Sequence, residues 1–114
     1  RLIPYYSSDW QYYRPITISN SNASDLTNYQ VKIELSPSNF DYSQASSTLA
    51  DLRFTDANGQ GIPYWIENVS TTSTSTIWVK VPPIPANSSA TIYMYYGNSS
   101  ATSESNGSST FEFF

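Results

Sequence analysis

Apolar and polar residues alternate with a period of two in several short runs of this chain, and nowhere do they hold the period of a helix. In Tyr29-Gln30-Val31-Lys32-Ile33-Glu34-Leu35 four apolar residues alternate with three polar ones, which predicts a strand with one dry face. Shorter alternations predict strands over residues 15–19, 52–55, 62–67 and 77–81. Residues 91–96 are apolar or aromatic at nearly every place, as a central strand covered on both faces requires. Residues 110–114 predict a short aromatic strand. No stretch keeps the i, i+3, i+4, i+7 pattern for three turns, and Ser, Thr, Tyr, Pro and β-branched residues disfavour helix throughout.

The breaks between these runs have identifiable chemistry. Ala57-Asn58-Gly59-Gln60-Gly61 supplies residues that tolerate positive φ and reads as a hairpin connection. Pro82-Pro83-Ile84-Pro85 cannot donate ladder hydrogen bonds, so a strand stops there. About seven or eight strands spaced roughly 10–15 residues apart, with no helix between them, predict an all-β fold: an antiparallel, jelly-roll-like β-sandwich. At 114 residues the chain is one domain, divided into an arm and hinge at 1–9 and a sandwich at 10–114. The Ser/Thr-rich stretches 68–76 and 98–110 read as solvated loops.

Composition narrows the function. Five Lys and Arg stand against nine Asp and Glu, a net charge of −4, and only 12% of residues are charged. Binding nucleic acid or an anionic membrane needs clustered cations, so neither partner is expected. Cys and His are absent, which removes disulfides, thiolate nucleophiles, the usual nitrogen and sulfur metal ligands and the commonest proton-transfer group. No enzyme activity, cofactor or metal is therefore expected. With 21 Ser, 11 Thr and 16% aromatics the chain is polar yet hydrophobic enough to fold. No apolar run approaches the roughly 18 residues of a membrane span. The start at Arg1, without Met or an apolar leader, reads as a processed, secreted chain.

The arm itself is apolar. Leu2, Ile3, Pro4, Tyr5 and Tyr6 precede a polar hinge, Ser7-Ser8-Asp9, and leaving such side chains in water forgoes about 1.5 kcal/mol or more for each that can be buried. A partner for the arm is expected.

Several local sequences together resemble the domain of unknown function 2341 family of secreted and surface proteins of archaea and bacteria. They are Trp10 with Arg14-Pro15-Ile16-Thr17-Ile18, Asp25-Leu26-Thr27-Asn28-Tyr29-Gln30-Val31, Ala50-Asp51-Leu52-Arg53-Phe54-Thr55-Asp56, Ile62-Pro63-Tyr64-Trp65-Ile66-Glu67, Ile77-Trp78-Val79-Lys80-Val81-Pro82 and Ile92-Tyr93-Met94-Tyr95-Tyr96-Gly97-Asn98. The resemblance implies a compact β-sandwich module, usually part of a larger extracellular protein, with no catalytic residues to carry over.

Four constellations are candidate sites. Asp56, Asn58, Gln60, Gly61 and Glu67 imitate a calcium loop, although Gln60 and Pro63 depart from it and a plain hairpin turn is the expectation. Asp51, Arg53 and Asp56 bracket an apolar strand; two carboxylates flanking a cation suggest acid/base work, but a structural ion pair is expected instead. Trp65 and Trp78 lie between core-facing neighbours, so both are expected on an outer face, there to stack on sugar rings or on another subunit. Asn-x-Ser/Thr sequons occur at Asn22, Asn68, Asn87, Asn98 and Asn106, against about two or three expected by chance. All five fall in predicted loops, as glycans require.

These features favour the subunit of an extracellular filament or surface appendage. Its arm would add as a strand to the sandwich of the next copy, so the partner is the chain itself. The alternative is a carbohydrate-binding or adhesion module that uses the exposed aromatics and takes glycans as partners.

Overall fold

A computed structural model describes residues 10–26, 29–98 and 100–110. Six strands are present among them: β1 (Tyr12–Asn20), β2 (Tyr29–Leu35), β3 (Arg53–Thr55), β4 (Tyr64–Asn68), β5 (Ser75–Val81) and β6 (Ser88–Tyr96). They form two antiparallel three-stranded sheets, β1-β6-β3 and β2-β5-β4. Only β4 and β5 are consecutive neighbours in one sheet; every other connection crosses to the opposite sheet, and this makes the chain an all-β sandwich. Leu52, Phe54, Ile77, Val79, Ile84, Ile92 and Met94 fill the space between the sheets. No helix among the described residues is long and apolar enough to cross a membrane.

The hydrophobic pattern explains the central strands. In β5 the alternation of buried and half-buried residues is unbroken, with Ser75, Ile77, Val79 and Val81 inward. In β6, Ile92 and Met94 face the core, while Tyr95, on the opposite face, is only 2% exposed. A strand covered on both faces is what its unbroken apolar run predicts. Val81 ends β5 at the proline run, and Ile84 then exchanges two 2.9 Å backbone bonds with Leu26. The Asn58-Gly59 turn also forms: Gly59 takes φ +85, and Asp56 N–H donates to Gln60 C=O at 2.9 Å. The chain leaves this turn for the other sheet, so β3 and β4 do not pair.

Three expectations change. The dry face of β2 is only partly dry, because β2 is an edge strand: Leu35 is buried, Val31 and Ile33 are half-buried and Tyr29 is 43% exposed. Thr110 does not open a strand; it closes a four-residue helical turn, α1 (Gly107–Thr110), where its hydroxyl donates to Asn106 C=O at 2.8 Å. The remaining residues of that expected strand, 111–114, lie outside the described residues, as does the arm at Leu2 to Tyr6. The stretch 98–110 is not simply a solvated loop either. Asn106 N–H donates to Tyr64 C=O at 2.8 Å and Ile66 N–H to Ser105 Oγ at 2.7 Å, so this strap covers the free edge of β4. α1 then packs on β4 and β5, and Gln30 of β2 donates to Thr110 C=O at 3.1 Å.

Candidate functional site

The strap meets the core at Arg53, the first residue of β3, which is 5% exposed. Its Nη1 donates to the carbonyls of Ala50 at 3.1 Å and Leu52 at 2.8 Å and to the Tyr64 hydroxyl at 3.3 Å; its Nη2 donates to Thr102 C=O at 2.7 Å. The Trp10 ring lies 5.2 Å from the guanidinium carbon, a cation–π distance. Nε makes no hydrogen bond, and Glu104 Oε1 stands 3.6 Å from it. Tyr64 donates to Leu52 C=O at 2.7 Å and accepts from Glu104 N–H at 3.2 Å. Burial pushes the Tyr64 phenol above its ordinary pKa, partly offset by that N–H and by the Arg53 charge.

The expected ion pair of Asp51, Arg53 and Asp56 is not formed. Asp51, 1% exposed, accepts from Ser46 N–H at 3.1 Å through Oδ1 and from the N–H groups of Gly97 at 2.8 Å and Asn98 at 3.1 Å through Oδ2. Three backbone donors replace the cation, and Arg53 turns to the strap instead. Asp56 Oδ1 accepts from Asn58 N–H at 2.8 Å and Gln60 N–H at 3.0 Å, which fixes the hairpin turn. Glu67, at the other end of the calcium-like run, accepts the Trp78 indole N–H at 2.7 Å. Among the described residues no three acidic side chains come together to hold a metal.

Trp65 and Trp78 are register partners on β4 and β5, on the face opposite Tyr64, Ile77 and Val79. Lys32 of β2 pairs with Trp78 in turn, its Nζ 5.9 Å from the ring centre. Both indoles are half-buried, in an outward row of Lys32, Trp78 and Trp65 across the second sheet. Of the sequons, Asn22, Asn87 and Asn106 are exposed and Asn98 is half-buried. Asn68 is not in a loop: it is the last residue of β4, and its Nδ2 donates to Thr74 C=O at 3.1 Å. Asn87 N–H donates to Asn22 C=O at 3.0 Å, bringing two sequons side by side.

The two long sides of the sandwich carry different elements. Phe54 of β3 meets Tyr64 of β4 with ring centroids 5.3 Å apart, and the strap and the 56–60 turn close that side. On the opposite side, β1 and β2 are edge strands among the described residues; their inward Ile16, Val31 and Ile33 are half-buried, as are Ile62 and Ile66 beside the closed side, while Ile18 and Leu35 are buried. The strap residues Thr102, Glu104 and Ser105 are not legible in the sequence, because a Ser/Thr-rich run without periodicity reads as solvent-facing. The Tyr64 hydroxyl is: a buried phenol needs a partner.

No curated protein and no solved structure matches the chain. The profile of one family, described as Domain of unknown function (DUF2341), matches residues 48–114. The stretches Trp10–Ile18 and Asp25–Val31 precede that match, while Asp51, Arg53, Tyr64, Trp65, Trp78 and the strap lie inside it. With more than half of its length matched, the chain belongs to the DUF2341 family of domains of unknown function.

Proposed function

We propose that this protein is a non-catalytic structural subunit of an extracellular filament, in which the apolar segment Leu2 to Tyr6 of one copy adds as a strand to the open β1/β2 side of the next. The observation that carries the reading is the pair of edge strands, β1 and β2, on the side away from the strap. On that side β1 and β2 are the outermost strands of their sheets among the described residues, and their inward Ile16, Val31 and Ile33 are half-buried. Strand addition pairs the free backbone of an edge strand and covers such side chains together. The five residues Leu2 to Tyr6, extended, span about 17 Å, enough to pair with five of the seven residues of β2. Between the two edges β2 is the better acceptor, because Pro15 removes one N–H from β1. Glycans on the sequons would cover other surfaces, since none of the five asparagines lies on β1 or β2. Deleting residues 1–8 tests the reading: sedimentation and electron microscopy should find folded monomers where the full chain forms fibres. Fibres from the truncated chain would refute it.

A second reading, a carbohydrate-binding or adhesion module, is favoured by one observation. Trp65 and Trp78 stand together on an outward face, with the Trp78 indole held by Glu67, an arrangement suited to stacking on a pyranose. Glycan-array binding that is lost in Trp65→Ala or Trp78→Ala would favour it over the filament.

A further inference from the structure

The end of the sandwich away from the paired sequons holds a polar cavity of about 280 Å³ where residues 11–12, 43–46 and 97–98 converge over Asp51. Its size is close to the small end of ligand sites, about 300 Å³. Three primary amides border it, from Gln11, Gln44 and Asn98. The Asn98 Oδ1 accepts from Ser100 N–H at 3.0 Å, and its Nδ2 has no hydrogen-bond partner among the described residues. Nor do the Gln11 and Gln44 amides hydrogen-bond to another of the described residues. By contrast, the amides of Asn20, Gln30, Asn39 and Asn68 each donate to a backbone carbonyl. Asp51 forms part of the lining; three of its roughly four acceptor positions are taken by backbone N–H groups, so about one is left. The Tyr12 ring, stacked on Tyr96 at 5.5 Å, supplies an aromatic wall. Gly97 keeps the cavity open on that side: a Cβ there would stand 2.6 Å from Tyr12 Cδ2.

We infer that this cavity binds one uncharged pyranose ring. Uncharged amides that donate and accept, one carboxylate acceptor and one aromatic wall match alternating ring hydroxyls and an apolar ring face. Among the described residues no cation borders the cavity to favour an anionic ligand. The site is separate from the Trp65 and Trp78 row and does not depend on the filament reading. Its sugar comes either from a separate glycan or from the first residue of a glycan on Asn98 itself.

The test is an NMR titration of protein made without N-linked glycans, using N-acetylglucosamine and methyl galactoside up to about 50 mM. The side-chain amide signals of Gln11, Gln44 and Asn98 should shift with a Kd on the order of millimolar, as one small ring allows. Gln44→Ala and Gln11→Ala should each weaken binding about tenfold at unchanged melting temperature, and Trp65→Ala should leave it intact. In protein made with glycans, added sugar that binds only after Ser100→Ala removes the sequon identifies the Asn98 glycan as the occupant; binding without that change identifies a separate glycan. Absence of shifts in the three amides, shifts confined to the Trp65 and Trp78 indoles, or binding by both Gln variants as tight as by the unsubstituted protein would overturn the inference.

Discussion

Arg53 and Tyr64 meet between the two sheets, guanidinium Nη1 3.3 Å from the phenol oxygen. Because that hydroxyl also donates to Leu52 C=O and accepts from Glu104 N–H, one side chain of β4 ties β3 to the strap. Tyr64→Phe leaves the Glu104 N–H without its acceptor and is expected to cost about 1–3 kcal/mol. A lower urea midpoint at unchanged m value is the signature.

The same phenol sets an alkaline limit. Its pKa is raised by burial in the folded protein, so it keeps its proton at pH values where the unfolded chain has lost one. The contribution is whole below the ordinary tyrosine value of about 10 and is lost as pH rises toward the folded value. Burial raises the Tyr96 pKa as well, which acts in the same direction. Melting temperature should therefore fall once pH passes about 10, and less steeply in Tyr64→Phe.

Gly97 has little room for a side chain. Its φ of +93 disfavours any side chain, and an added Cβ would press on Tyr12. Gly97→Ala is expected to cost about 1–3 kcal/mol from backbone strain alone, measured by thermal unfolding. Gly59, on an open turn at φ +85, should accept Asn at lower cost.

These residues show where the sequence was legible. The alternation of β5, the double cover of β6 and the proline stop at Val81 follow from residue period and from proline's missing N–H, and each is found. The half-buried face of β2 is not legible in its period, because period marks which face is inward but not whether a neighbouring strand covers it. The charge pairing is not legible for a related reason. Asp51 and Arg53 are two places apart, yet their partners sit at Gly97, Asn98 and Thr102, which no local pattern connects to them. The cavity is hidden in the same way, since its walls come from three distant stretches.

Sequon geometry predicts unequal glycosylation. Asn68 has its Nδ2 engaged with Thr74 C=O at a strand end, whereas Asn22 and Asn87 are exposed on touching loops. In a host with N-linked glycosylation, peptide mass spectrometry should find Asn68 less occupied than Asn22 or Asn87. Asn68→Gln should leave the total glycan mass nearly unchanged.

The central claim, that the β1/β2 side receives a strand from another copy, is tested most directly by disulfide trapping. The chain has no Cys of its own, so Ile3→Cys and Val31→Cys introduced singly into two preparations report only on their own contact. Mixed, disassembled and reassembled under mild oxidation, they should give a disulfide-linked dimer on a non-reducing gel, and Ile3→Cys mixed with Trp78→Cys should not. Fibres that form with no Ile3–Val31 link, or a link that appears only when both cysteines are placed in one chain, would contradict the account.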